Sequence, residues 1–226
     1  MHPAIRLPDS ARRLYVVGQL HGALDELQAV DEMVARHLST REGQKAVVLH
    51  AGGSIDKGNR VPELLSCLES RTHVAAASVV YLLGAHEWLM LRAIGADKRA
   101  ALEWLLSGAE ASLDRWGVPT RDWVAMLPEA IPKSHIAFVQ ALPACAVAGQ
   151  INFVCSTFTD VRARPFGLFG HPIAAEALAG GRPLTSIGAF SDLMRGTAPE
   201  PWTVDDIWTV ERVQCAVLER SRTSSG

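Results

Sequence analysis

Three short glycine-bracketed segments hold the side chains with the most chemical potential: Gly18-Gln19-Leu20-His21-Gly22, Gly52-Gly53-Ser54-Ile55-Asp56-Lys57-Gly58 and Gly84-Ala85-His86-Glu87. The imidazoles of His21 and His86 can bind a metal or move a proton near neutral pH. The carboxylate of Asp56 can orient an imidazole, that of Glu87 faces the first turn of its helix where the dipole favours it, and Lys57 can meet an anion as a point charge. His50 precedes the second segment, and Cys155 places a thiol at the end of a fourth apolar run. Two readings fit these residue types. In one, the glycines let backbone wrap closely around a small ligand or ion. In the other they only make tight turns, the histidines cap helices, and His50 is packed in the core.

Each segment needs an element to hold it, and the chain supplies one. The β-rich runs 14–17, 46–49 and 79–83 precede the three segments. After them come helical stripes: Leu24, Leu27, Val30, Val34 and Leu38; then Val61, Leu64, Leu65 and Leu68; then Trp88, Leu89, Leu91 and Ile94. Strand, glycine turn and helix, three times over, predict βαβ units in an α/β fold. Continuous rather than alternating apolar runs predict strands buried on both faces. Ligands of such sheets bind beyond the carboxyl ends of the strands, where all three segments lie.

The stretch 98–142 reads as helical, with Leu102, Leu105 and Leu106 as one stripe, 109–116 as another, and Pro128, Pro132 and Pro143 as helix ends. It reads as an insertion into one domain spanning 1–226. Residues 144–147 and 151–155 read as a hairpin, 202–204 and 212–218 as closing strands, and 221–226 as a polar tail. Residues 160–200 are rich in Gly and Pro and give no clear period. Trp104, Trp116, Trp123, Trp202 and Trp208 are candidate contact anchors, because Trp is enriched at binding hot spots.

Composition narrows the function. With 22 Lys+Arg against 24 Asp+Glu the net charge is -2, and no basic stripe marks a nucleic-acid binder. The longest apolar run, 74–83, is far short of the roughly 18 residues a membrane span needs. The first thirteen residues lack the apolar core of a secretory signal. Cys67, Cys145, Cys155 and Cys215 contain no CxxC pair, so structural zinc and a disulfide framework are not expected. A cytoplasmic protein with buried free thiols is the expectation. The oligomeric state is not legible.

The three segments resemble, in order, the GDIHG, GDYVDRG and GNHE signatures of the calcineurin-like metallophosphoesterases, and most closely those of bacterial and phage serine/threonine protein phosphatases. Residues 108–117 (GAEASLDRWG) are similar to that family's GGEATLRSYG segment, and 135–143 to its HxxFLxxLP helix. Phe153-Val154-Cys155 stands where the family has FVH, and Gly170-His171-Pro172 resembles its GHTP turn. The resemblance covers about residues 14–158. It implies an αββα sandwich of two mixed sheets with a two-metal centre, His86 matching the acid that protonates the leaving group and Asp56 a carboxylate behind the metal ligands.

At the ligand positions the chain departs from that pattern. Gln19 replaces the first aspartate, Gly53 the bridging aspartate, Ala85 the asparagine and Cys155 a histidine; His21 and His171 alone keep ligand chemistry. Leu83 stands where many members carry a phosphate-binding arginine, and Lys57 replaces another. Two dications some 3.5–4 Å apart need a bridging anionic ligand, so no metal cofactor is expected. The resulting expectation is a pseudophosphatase, a binding or regulatory module for a protein partner or small ligand. Its vestigial pocket would be lined by His21, His50, Asp56, Lys57 and His86, with Asp56 paired to Lys57 or to a histidine. The alternative is a phosphoesterase with one Zn or Mn ion on His21, Cys155 and His171, joined by His50 or His86. A cysteine-phosphatase site is excluded, since Ser156-Thr157-Phe158-Thr159 is no basic glycine-rich loop.

Overall fold

The structure, a computed structural model, describes residues 2, 4–41, 43–119, 121–148, 151–154, 185–186, 193–198 and 202–221. Three strands follow the expected runs: β2 (Arg13–Val17), β3 (Ala46–His50) and β5 (Ala77–Tyr81). They pair in parallel, β2 with β3 and β3 with β5. The sheet is extended on one side by the two-residue β4 (His73–Val74) and on the other by the antiparallel hairpin β9 (Trp202–Val210) and β10 (Val213–Arg220). The order across these six strands is β4-β5-β3-β2-β10-β9. A second sheet has the order β1-β6-β7-β8, from β1 (Ala4–Arg6), β6 (Cys145–Ala148), β7 (Ile151–Val154) and β8 (Thr185–Ser186).

Alternate residues of the central strands serve two cores. Tyr15, Val17, Val48, Cys215 and Val217 face the helices, whereas Leu14, Val16, Val47, Leu49, Ala216 and Leu218 face the second sheet with Ala146, Ala148 and Phe153. This is why the runs are continuously apolar: neither face of the strands meets water. Helix α1 (Leu24–Ser39) buries Leu24, Leu27, Val30, Val34 and Leu38 against the sheet, and α2 (Val61–Ser70) buries Val61, Leu64, Leu65 and Leu68. Helix α3 (Ala85–Ile94) completes the third unit. The result is the expected mixed α/β arrangement of two mixed sheets, with helices on the six-stranded one. The outer helical layer of a full αββα sandwich is not seen among the described residues.

The helical stretch comprises α4 (Lys98–Leu106), α5 (Glu110–Arg115), α6 (Trp123–Ala130) and α7 (Lys133–Ala141). Its Ala100, Ala101, Trp104, Leu113, Leu127 and Val139 join the same core as α1 and α2. One expectation fails here, and the leucine stripe of α4 turns largely to solvent. Leu102 and Leu106 are 57% and 79% exposed, because α4 packs through its alanines and Trp104 instead. Pro128 does not end a helix: α6 runs on to Ala130, closed by the Ile131 amide donating to the Leu127 carbonyl at 3.1 Å. Among the described residues, no helix is long and apolar enough to cross a membrane.

Candidate functional site

The three glycine segments meet at the carboxyl ends of β2, β3 and β5. The amides of Leu20 and His21 both donate to the Gly53 carbonyl, at 2.9 and 2.8 Å, and the Gly22 amide donates to Ser54 at 2.9 Å. The backbones come too close for side chains: a Cβ at Gly58 would lie 1.9 Å from the His21 carbonyl oxygen, and one at Gly84 would lie 2.4 Å from the Gly53 nitrogen. Glu87 ties the second segment to α3. Its fully buried carboxylate accepts from the amides of Gly53 (3.2 Å), Ser54 and Ile55 (3.3 Å). Burial pushes its carboxyl above the usual range, and the amide bonds pull it back. The expectation for Glu87 was simple company for its own helix terminus; it also organises the neighbouring loop.

Asp56 is the centre of the second segment and is completely buried. Its Oδ2 accepts from His86 Nδ1 at 2.6 Å and from Trp104 Nε1 at 2.8 Å; its Oδ1 accepts from Ser112 Oγ at 2.6 Å. The Asp56 amide donates to the same Ser112 oxygen at 2.9 Å. Asp56 and Lys57 both have positive φ, +70° and +60°, a conformation that costs of order 1–3 kcal/mol per non-glycine residue. These four hydrogen bonds hold it. Of the two expected partners for Asp56, the contact is with the histidine and not with Lys57. His86 makes no side-chain cap at the start of α3. With Nδ1 donating to the carboxylate, Nε2 carries the lone pair; it has no hydrogen-bond partner among the described residues.

His21 is held in the same sense. Its Nδ1 donates to the Ile55 carbonyl at 2.8 Å, and Nε2 lies 2.8 Å from Gln19 Oε1 and 3.5 Å from Lys57 Nζ. Burial foremost, with the charge of Lys57 next, lowers its pKa to about 4, so the ring is neutral at pH 7. A neutral ring donates from one nitrogen only, so with Nδ1 on Ile55 the Gln19 amide must exchange its oxygen and nitrogen and turn its NH2 group toward Nε2. The His21 and His86 rings meet edge to face, 5.1 Å between centres. Gly53 has φ +72°, and a Cβ there would lie 2.8 Å from Gln19 Cγ and 3.0 Å from its Cβ. The Gln19 side chain fills the space above Gly53.

Thus His21, Asp56, Lys57 and His86 come together, with Gln19 and Gly53 between them and the nearly buried Ala85 opening α3. His50 does not join them. It lies on the core side of β3, stacked on Tyr81 at 4.9 Å, with Nε2 3.1 Å from Arg71 Nη1 and its pKa pushed well down by burial. Arg71 is itself paired with Asp31 and donates to Tyr81 Oη at 2.7 Å. This corrects the expectation that His50 lines the pocket. Cys155 and His171 lie outside the described residues. Among the described residues, no three His, Cys, Asp or Glu side chains are grouped to hold a metal ion.

Trp104 and Ser112 were missed as site residues, because their partner lies 48 and 56 positions away. The one available signal was Ser112's place inside the 108–117 segment. Nor is Trp104 a contact anchor: it is fully buried, and Trp116, Trp202 and Trp208 are also buried. From Lys57 a cleft of about 580 Å³ runs past Asn59, Asp114 and Arg115 to Arg212, which pairs with Glu26 at 3.3 Å. Lys57 is the point where this open cleft touches the histidine pair. Cys67, Cys145 and Cys215 are free thiols, and burial raises Cys145 to about 11.

No protein-family profile matches the chain, and no curated protein matches it in sequence. Solved structures similar to it include phosphatases. One, assigned as a diadenosine tetraphosphatase, has 17% identity and a TM-score of 0.42 over 68% of this chain and 54% of its own. A cold-active protein-tyrosine phosphatase of a psychrophilic Shewanella species has 15% identity and a TM-score of 0.39 over 67% and 43%. A protein serine/threonine phosphatase from Saccharomyces cerevisiae has 12% identity and a TM-score of 0.35 over 67% and 40%. The chain spans about half, or less, of the length of these proteins. Likenesses at this level speak to neither activity nor substrate.

Proposed function

We propose that this chain is a pseudophosphatase, a phosphatase-like module that binds an anionic group without metal and does not hydrolyse it. The observation that carries the reading is the packing of Gln19 over Gly53: a Cβ at 53 would meet Gln19 Cγ at 2.8 Å. A bridging carboxylate has no room there, and the neutral amide beside it is a weak ligand for a dication. The donor set does not fit a two-metal centre. In place of metal charge the pocket carries Lys57, whose ammonium is 3.5 Å from His21 Nε2. A cation in that position repels a metal ion and attracts a phosphate or carboxylate. The ligand is then a phosphorylated segment of a protein partner, or a small phosphorylated metabolite, entering along the cleft beside Lys57.

A second reading has its own support. His21 and His86 both anchor Nδ1 on protein oxygen, as metal-ligating histidines do, and on His86 Nε2 is left without a partner among the described residues. This favours a mononuclear phosphoesterase with one Zn or Mn ion. Binding of a phosphoserine peptide in EDTA, measured beside hydrolysis of a generic phosphomonoester with Mn²⁺, separates the two. We expect binding that survives EDTA and weakens about tenfold in Lys57→Ala, as for loss of a charged hydrogen bond, and no turnover. Turnover that requires Mn²⁺ and is lost in His21→Ala overturns the pseudoenzyme.

A further inference from the structure

We infer that His86 is a phosphoryl acceptor: it takes a phosphoryl group on Nε2 from a small acyl phosphate, forming a phosphohistidine. The inference rests on the pocket working without metal, and it adds a covalent chemistry that hydrolysis by metal-bound water does not use.

The geometry assembles an activated nucleophile. Asp56 holds the His86 Nδ1 proton at 2.6 Å, and the carboxylate is itself fixed by Trp104 and Ser112. The tautomer is therefore set, with the nucleophilic lone pair on Nε2. That nitrogen has no partner among the described residues, and the His86 side chain keeps 11% of its surface exposed. The surroundings favour an incoming dianion. Lys57 reaches the neighbouring His21 ring, whose centre is 5.1 Å from that of His86. His86 also stands in the first turn of the ten-residue α3, where unpaired amides favour negative charge. The two nearest carboxylates are already spent on donors: Asp56 on three side chains and Glu87 on the amides of 53–55.

The step balances without a further reactant. Nε2 forms a bond to phosphorus as the bond from phosphorus to the acyl oxygen breaks. The acyl group departs as its carboxylate and needs no proton. The positive charge left on the ring is met by Asp56 through the Nδ1 proton, the role a buried aspartate has beside a catalytic imidazole.

The test is incubation of the full chain with acetyl phosphate in EDTA, followed by intact mass and by site mapping at alkaline pH, which preserves phosphohistidine. His73 is an internal control: it is exposed, and its Nδ1 meets only the Thr72 hydroxyl, at 3.1 Å. We expect one acid-labile phosphoryl group per chain at His86, forming about tenfold faster than at His73, as for a positioned and polarised imidazole. Asp56→Asn slows labelling at His86 by about tenfold or more and leaves His73 unchanged. Ser112→Ala, a gentler change that keeps the carboxylate, slows it by a smaller factor. Labelling at His73 as fast as at His86, or total labelling unchanged in His86→Asn, overturns the proposal. If such a protein still binds the phosphopeptide in EDTA, the phosphoacceptor fails alone. Metal-dependent turnover instead overturns the parent reading.

Discussion

The two halves of the pocket have been treated in opposite ways. On one side Asp56, His86, Trp104 and Ser112 form a buried network in which both carboxylate oxygens are engaged by three side-chain donors. On the other, Gln19, Gly53 and Ala85 carry no formal charge, and the amide of Gln19 covers the bare backbone of Gly53. Both halves rest on the same glycine loops. The contrast is between an oriented histidine held by a fully engaged carboxylate and three neutral positions, Gln19, Gly53 and Ala85. Clustered carboxylates without a cation repel each other and are destabilising; a neutral filler avoids that.

The largest expected effect tests the shared scaffold. Glu87→Ala strips the acceptor from three loop amides and should lower stability by about 4 kcal/mol in urea unfolding, as for breaking a buried charged network. Loss of under about 1 kcal/mol would mean the halves are held independently. Next comes the retained half. Asp56→Asn should cost about 2 kcal/mol, since the His86, Trp104 and Ser112 donors lose a charged acceptor. The neutral half gives a smaller, diagnostic effect. Gly53→Asp alone should destabilise by about 1–2 kcal/mol through its clash with Gln19, and Gln19→Gly in the same chain should recover about half of that. Additive losses would show that the two positions are not packed against each other.

A separate effect, read against pH and not by substitution alone, is that of His21. Its native pKa is lowered from 6.5 to about 4. Between those values the unfolded chain binds a proton that the native chain does not, so stability is present above about pH 6.5 and is lost as pH falls toward 4. His37, His50 and His135 shift in the same direction, so the His21 share is the part removed in His21→Gln. Its ring signal in NMR should titrate near 4; titration near 6.5 would place Lys57 and the buried surroundings elsewhere.

Much of this scaffold was legible because its cause is local. The runs ending at Val17 and His50 are apolar on both faces, and the stripe from Leu24 to Leu38 has helical spacing, so sequence and burial agree residue for residue. The glycines bracketing each segment mark where backbones must touch, as at Gly58 beside the His21 carbonyl. What escaped was decided at long range. Leu102 and Leu106 have the period of a buried stripe, but which face of α4 is covered depends on the helix it meets. His50 looked like a pocket residue because it ends a strand; the strand's alternation turns it to the core side, against Tyr81 and Arg71. Trp104 and Ser112 reach Asp56 only because the helical stretch folds back over the loop. No spacing rule announces that. The short β1 and β4 have too few residues to show a period.

The central claim of the proposed function is that the pocket binds an anion through a fixed cation, Lys57, beside a neutral filler, and holds no metal. Its most direct test is the metal content of the purified chain after saturation with Mn²⁺ or Zn²⁺ and removal of free ion. The account predicts far less than one ion per chain, in the native protein and in His21→Ala alike. Near-stoichiometric metal in the native chain, lost in His21→Ala, would contradict it.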